Sequence, residues 1–119
     1  MRKKILVVDD DQAVLDYLNA KLGVRYDLVT TAAADAVMRL AHVETPDLIL
    51  CDIDMPDLDG GDVSAQLYGD DRTRYIPVLF LSALIPPKDS KRGEVGGRPA
   101  ISKSSSIEDL IARIESLMG

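Results

Sequence analysis

Short apolar runs alternate along this chain with segments whose apolar residues recur at helical spacing. This alternation limits the possible fold more than any other feature. The run Leu48–Cys51 is apolar on both faces, which is typical of a buried strand in a parallel sheet. Because crossovers between parallel strands are right-handed, the intervening helices must cover both faces of the sheet. The alternation therefore predicts an α/β fold, a three-layer sandwich built around a parallel sheet.

The positions of the apolar residues indicate where the individual elements lie. Strands are predicted at Ile5–Val8, Tyr26–Thr30, Leu48–Cys51 and Val78–Leu81. Helices are predicted at Val14–Leu22, Ala33–Val43, Val63–Leu67 and Ile107–Leu117. Ser105 and Glu108 have the spacing of a capping box, which predicts that Ser105 caps the last helix.

The segment between Ser82 and Lys103 departs from this regular pattern. A fourth helix and a fifth strand are expected there, yet the segment contains three prolines and three glycines. Proline costs about 3 kcal/mol and glycine about 1 kcal/mol inside a helix. We therefore expect a short or irregular fourth helix in this segment.

Size and charge exclude several classes of function. A chain of 119 residues predicts a single domain spanning 1–119. The formal net charge of −6 argues against direct nucleic-acid binding and against binding to anionic membranes. Every apolar run is far shorter than the roughly 20 residues that span a bilayer. The single cysteine, Cys51, cannot form an internal disulfide, so a reducing cytoplasm is the expected location.

Acidic residues follow two of the predicted strands directly. Val8 is followed by Asp9 and Asp10, and Cys51 is followed by Asp52. If the two strands are neighbours, three carboxylates meet at one edge of the sheet, where ligands of such folds bind. Like charges that close together need a proton or a cation, and oxygen ligands open to solvent favour Mg²⁺.

A hydroxyl and an ammonium group are predicted near the same edge. Ser82 follows the strand that contains Phe80, and Lys103 lies near the last predicted strand. Together with carboxylates and a metal ion, these groups can stabilise the charge of a phosphoryl group in transfer.

Four blocks of the sequence resemble the receiver domain of bacterial two-component response regulators, and the resemblance extends over the whole chain. The blocks are Lys4–Asp10, Pro46–Gly60, Ile76–Ala83 and Lys103. The second block is the most specific, because it combines an apolar strand, an Asp, Met-Pro and Asp-Gly at the family's offsets. The resemblance implies a flavodoxin-like fold with a doubly wound, five-stranded parallel sheet in the order 2-1-3-4-5.

The resemblance also implies roles for individual residues. Asp52 matches the phosphoacceptor, a carboxylate nucleophile that forms an aspartyl phosphate. Asp9 and Asp10 match the acidic pair, with Asp10 a direct Mg²⁺ ligand and Asp9 acting mostly through water. Asp54 matches the residue whose backbone carbonyl contacts the metal. The phosphoryl group would be stabilised by Ser82 and Lys103 and would remain accessible beside the small Ala83.

Two positions depart from the family pattern. Ser104 stands where a proline in a cis peptide usually follows the lysine, and a cis bond without proline costs about 2.5–4 kcal/mol. We therefore expect a trans 103–104 bond and a reshaped loop. Ala100 stands where the family commonly has an aromatic residue that swings inward on phosphorylation.

The function implied by the resemblance is a phosphorylation-dependent signalling switch rather than an enzyme with independent turnover. Its expected partners are a sensor histidine kinase or a histidine phosphotransfer protein as donor, and an unidentified downstream protein as target. A degenerate receiver that binds its partner without phosphorylation is an alternative, motivated by Ala100, Ser104 and the irregular fourth helix. A haloacid dehalogenase-like phosphatase is a remote alternative. In that family the Asp-x-Asp motif precedes the acidic pair, whereas in this chain the acidic pair, Asp9 and Asp10, comes before Asp52 and Asp54.

Overall fold

The computed structural model describes residues 2–56, 58–83, 85, 93–95 and 98–119. Its strands are β1 (Lys4–Val8), β2 (Asp27–Thr31), β3 (Leu48–Asp52), β4 (Val78–Ser82), β5 (Glu94–Val95) and β6 (Arg98–Ser102). Its helices are α1 (Gln12–Leu22), α2 (Val37–Glu44), α3 (Gly60–Tyr68) and α4 (Ile107–Met118), with a 3₁₀ turn at Ala34–Ala36. Among the described residues, no helix combines the length and apolar character needed to cross a bilayer.

The strands form one sheet in the order β2-β1-β3-β4-β6-β5. The five strands β1, β2, β3, β4 and β6 are parallel to one another, which confirms the predicted order of a five-stranded, doubly wound sheet. The two-residue strand β5 adds an antiparallel edge, pairing Glu94 with Pro99. Sequence periodicity could not indicate β5, because a two-residue element has no period.

The central strands are buried on both faces, and successive residues along a strand pack into the hydrophobic cores on opposite faces of the sheet. Ile5 and Val7 belong to a core that includes residues of α1 and α4. Leu6 and Val8 belong to a core that includes residues of α2 and α3. This division confirms the three-layer sandwich and explains why the strands read as continuous apolar runs.

The start of the second helix and the cap of the last helix differ from the predictions, and the third helix, Gly60–Tyr68, extends beyond the predicted Val63–Leu67 at both ends. Helix α2 begins at Val37, four residues after the predicted start at Ala33, and residues 34–36 form a 3₁₀ turn before it. The predicted capping box at Ser105 and Glu108 is wrong by one residue. Ser106 caps α4, and its hydroxyl accepts a hydrogen bond of 3.1 Å from the amide of Asp109.

The expected fourth helix falls mainly on residues 84 and 86–92, which lie outside the described residues. In the described part of that segment, residues 94–95 form β5 and residues 98–102 form β6. The carbonyl of Gly93 accepts hydrogen bonds from the amide of Ala100 and from the guanidinium of Arg113 on α4, both at 2.9 Å. Main-chain and side-chain contacts therefore tie this edge of the sheet to the last helix.

The Ser106 cap gives a direct test of where α4 begins. Replacing Ser106 by Ala removes the acceptor for the Asp109 amide, so we expect the free energy of unfolding to fall by about 1 kcal/mol. The variant Ser106→Asp keeps a capping oxygen and should retain wild-type stability. Urea unfolding followed by circular dichroism measures both, and an unchanged midpoint for Ser106→Ala would contradict the assignment.

Candidate functional site

The candidate site lies at the carboxyl ends of β1 and β3, which are neighbours in the sheet. Asp9 directly follows β1, and Asp52 is the last residue of β3. The strand order reverses here, because β2 lies on one side of β1 and β3 lies on the other. This is the place where open α/β sheets bind ligands.

The three predicted acidic residues meet at this edge. Asp9, Asp10 and Asp52 each offer a carboxylate oxygen, and these oxygens lie within 4.8 Å of one another. The predicted convergence is therefore confirmed. Asp9 is 0% exposed and Asp52 is 1% exposed, whereas Asp10 is open to solvent.

The chemistry of this set fits a hard divalent cation. Oδ2 of Asp9 is buried and has no hydrogen-bond partner among the described residues. A buried, unpartnered carboxylate oxygen is costly unless a cation or a proton reaches it. Three carboxylates with one open side suit Mg²⁺, which accepts few protein oxygens and retains several waters.

Burial also perturbs the titration of Asp9. Removal from water raises the pKa of Asp9 to about 6, and the charge of neighbouring Asp52 adds to the increase. The backbone amide of Asp11, which donates a 2.9 Å hydrogen bond to Oδ1 of Asp9, and the charge of Lys103 both oppose it. The charged form of Asp9 is therefore disfavoured in the metal-free fold.

Lys103 is brought directly to the predicted phosphoacceptor. Its Nζ lies 2.9 Å from Oδ1 of Asp52 and 3.6 Å from Oδ2 of Asp54. Partial burial lowers the pKa of the Lys103 ammonium, but the hydrogen bond to Asp52 and the surrounding carboxylates outweigh this, so its pKa is raised. The lysine therefore remains charged and partly offsets the acidic cluster.

Strand pairing holds Lys103 in place without the proline that usually follows it. Ser102 on β6 pairs with Ser82 on β4, and the amide of Lys103 donates to the carbonyl of Ser82 at 3.0 Å. The 103–104 bond is trans, as expected from the absence of proline, since the described residues contain no cis peptide. The amide of Ser104 donates to Oγ of Ser102 at 3.0 Å, which closes the turn.

The side chain of Asp54 has a position that the sequence did not indicate. Besides facing Lys103, its Oδ2 accepts a 2.9 Å hydrogen bond from the amide of Ala83. The amide of Asp54 in turn donates to Oδ1 of Asp52 at 2.8 Å. Asp54 therefore connects the loop after β3 to the end of β4. The family resemblance marks Asp54 for its backbone carbonyl and gives no role to its side chain.

Three further residues near the site are buried. Ser82 ends β4 and is fully buried beside the site. Burial raises the pKa of the Cys51 thiol to about 12, so this cysteine is an unreactive core residue at neutral pH. Ala100 is also fully buried and pairs with Phe80 across β4 and β6.

The raised pKa of Asp9 predicts a pH-dependent penalty on stability. Since the pKa of about 6 exceeds the ordinary value of 3.8, the folded chain binds more protons than the unfolded chain between these values. The protonated form of Asp9 therefore contributes fully to the free energy of unfolding at low pH. This contribution falls as the pH rises through about 4 to 6, and it is absent above that range. The variant Asp9→Asn should be more stable than wild type at about pH 7.5 and no more stable below about pH 4.

Urea midpoints measured in EDTA test this prediction. Asp16→Asn, which removes an exposed carboxylate on α1, controls for the loss of one charge. A stability difference for Asp9→Asn that is the same at both pH values would contradict the prediction.

Comparison with known proteins gives a consistent result for this fold and site. The sequence model described as the response regulator receiver domain matches residues 5–115. The response regulator PleD of Caulobacter vibrioides is 39% identical over 98% of this chain, which spans 26% of that protein. The polar-differentiation response regulator DivK of Brucella anthropi is 34% identical over 100% of this chain and 98% of its own length.

The fold comparison agrees with the sequence comparison. The chemotaxis response regulator CheY4 of Vibrio cholerae superposes with a TM-score of 0.81 at 22% identity, over 98% of this chain and 99% of that one. The chain spans about a quarter of PleD and nearly all of DivK. With its parallel sheet, its acidic cluster at the ends of β1 and β3 and the match over residues 5–115, this chain belongs to the response regulator receiver domain family.

Proposed function

We propose that this receiver domain accepts a phosphoryl group on Asp52 and acts, once phosphorylated, on a partner protein. The donor would be the phosphohistidine of a sensor histidine kinase or of a histidine phosphotransfer protein. One observation carries the proposal: the carboxylate of Asp52, 1% exposed, lies between two further carboxylates and the ammonium of Lys103 at 2.9 Å. Membership in the receiver family supports the same reading.

The two oxygens of Asp52 are not equivalent. The amide of Asp54 and the ammonium of Lys103 both contact Oδ1, at 2.8 and 2.9 Å. These contacts orient the carboxylate and leave Oδ2 as the attacking atom. In the transfer, Oδ2 forms a bond to phosphorus, the phosphorus–nitrogen bond breaks, and its electron pair returns to the imidazole of the donor.

The acidic cluster supplies the ligands for Mg²⁺. We assign carboxylate oxygens of Asp10 and Asp52 and the backbone carbonyl of Asp54 as direct protein ligands, with Asp9 contacting the ion mostly through water. When bound, the ion supplies positive charge that neutralises the oxygens of the transferring group. The buried Oδ2 of Asp9, which has no partner among the described residues, supports this assignment.

Three residues at the carboxyl ends of β4 and β6 surround the phosphoryl group in this proposal. Lys103 can exchange its contact with Asp52 for a phosphoryl oxygen while Asp54, at 3.6 Å, keeps it near the site. The hydroxyl of Ser82 would donate to a second oxygen from the end of β4. Ala83, exposed and small, leaves room for the group beside them.

Acetyl phosphate provides the test of the phosphoacceptor. With Mg²⁺ present, we expect intact-mass spectrometry to show one adduct of about 80 Da, the mass of one phosphoryl group. Asp52→Asn should show no adduct, because the amide cannot act as the nucleophile. Asp16→Asn, a matched change on the exposed face of α1, should be labelled like the wild type.

The same experiment distinguishes the alternatives. Folded wild-type chain that gains no mass would favour a receiver that binds its partner without phosphorylation, which the buried Ala100 in place of an aromatic residue motivates. Repeated turnover of a phosphate monoester would instead favour a phosphatase. Equal labelling of Asp52→Asn and wild type would place the phosphoryl group elsewhere.

Metal binding predicts a separate change in stability. A ligand that binds only the folded chain raises the free energy of unfolding by about 2.7 kcal/mol at roughly 100 times its dissociation constant. We expect Mg²⁺ to stabilise the wild type in this way and Asp10→Asn to lose most of the effect. Thermal unfolding with Mg²⁺ and with EDTA measures it, and equal stabilisation of Asp10→Asn would refute the ligand assignment.

A further inference from the structure

A second feature of the molecule, distinct from the phosphoacceptor itself, is an open cleft of about 730 Å³. We call it the α2–α3 cleft. One wall is formed by the 3₁₀ turn and the first turn of α2, and the other is formed by the loop after β3 and the first two turns of α3. It borders the acidic site, since Asp10 lines its edge. Its volume is in the range of clefts that hold ligand-sized groups.

The floor of the cleft is apolar and adaptable. Met38, Met55, Leu58 and Val63 all line it. Met55 belongs to the core on that face of the sheet, and the other three are partly buried against the same core. Methionine is flexible and polarisable, and such side chains are common where a surface must fit the apolar face of a partner.

The rim of the cleft carries only negative charge. Asp10, Asp35, Asp59 and Asp62 line it and are exposed, and the lining that the structure describes contains no lysine or arginine. Within the described parts of the chain, none of these four aspartates forms a salt bridge. Asp59 caps α3 through Oδ1, which accepts from the amides of Gly61 and Asp62 and leaves its charge in place.

From this combination we infer that the α2–α3 cleft docks a cationic amphipathic segment of a partner protein. An apolar stripe of leucine, isoleucine or methionine would lie on the floor, and flanking lysines or arginines would face the four carboxylates. This is recognition of a helix in a groove, in which apolar anchors give affinity and complementary charge fixes the orientation. The inference does not depend on phosphoryl transfer to Asp52.

Charge also decides against other occupants. A second copy of this chain carries a formal net charge of −6, so its approach to an acidic rim is opposed. The same repulsion opposes nucleic acid and anionic lipid. A basic segment is attracted, and the carboxylates of Asp35 and Asp62 can pair with it at the surface.

A pair of designed peptides tests the inference. The probe is a fluorescein-labelled helix of about four turns, with leucines along one face and lysines along the other. Its matched control has glutamate in place of every lysine. In low salt without divalent ions, we expect the lysine peptide to bind by fluorescence anisotropy and the glutamate peptide not to bind.

Variants then locate the binding. Asp35→Lys and Asp62→Lys should each weaken binding of the lysine peptide about fivefold to tenfold, because each reverses a rim charge. Asp16→Lys makes the same charge change on α1, outside the cleft lining, and should alter the dissociation constant less than twofold. Urea midpoints of the three variants establish that each is folded.

A second measurement on the unmodified chain does not rely on the variants. In ¹H–¹³C spectra, the lysine peptide should shift the methyl resonances of Met38 and Met55 and leave Met118 of α4 unchanged. The inference is overturned if the lysine peptide fails to bind up to millimolar concentration, or if the glutamate peptide binds equally. It is also overturned if Asp16→Lys weakens binding as much as Asp35→Lys. Concentration-dependent shifts of Met38 without peptide would assign the cleft to a second copy instead and equally reject it.

Discussion

The pairing of β1 with β3 forces two carboxylates, those of Asp9 and Asp52, into the same buried corner, and the rest of the site responds to that constraint. Two unit charges about 4 Å apart repel by roughly 4 kcal/mol at an effective dielectric of about 20. Burial raises the pKa of Asp9 and the charge of Asp52 adds to the increase, while the ammonium of Lys103 partly offsets the negative charge of the cluster. The fit to a divalent cation follows from the same concentration of charge.

The lysine at this site is positioned by the sheet rather than by a special peptide bond. The amide of Lys103 donates to the carbonyl of Ser82, and the amide of Ser104 donates to the hydroxyl oxygen of Ser102, so one main-chain and one side-chain acceptor fix the turn after β6. Asp54 then fixes the ammonium from the loop after β3 and holds Ala83 through the same oxygen. Strand pairing and the carboxylate of Asp54 therefore both contribute to the position of the Lys103 ammonium.

The two faces of the sheet differ in what they present beside the site. On the α1 and α4 side, a smaller cleft of about 230 Å³ is lined mostly by apolar residues and reaches Lys103. On the α2 and α3 side, the larger cleft has a negative rim and reaches Asp10. The site therefore lies between a mainly apolar surface and an acidic one.

At β6, the buried Ala100 beside Phe80 leaves no aromatic ring at that position to connect the site to the sheet edge.

The sequence by itself determined the fold class and placed Asp9, Asp10 and Asp52 at strand ends, because apolar periodicity and acids that follow a strand are local patterns. The order of the parallel strands, which makes β1 and β3 neighbours, was predicted through the family resemblance. Only the tertiary structure decided the features that depend on distant partners. Ser106 rather than the predicted Ser105 caps the last helix: the amide of Ser105 donates to the carbonyl of Ser102 in the turn after β6, and the hydroxyl of Ser106 accepts from the amide of Asp109. The second anchor of Lys103 at Asp54 and the cleft between α2 and α3 likewise arise where segments far apart in the chain approach, and no local pattern encodes such an approach.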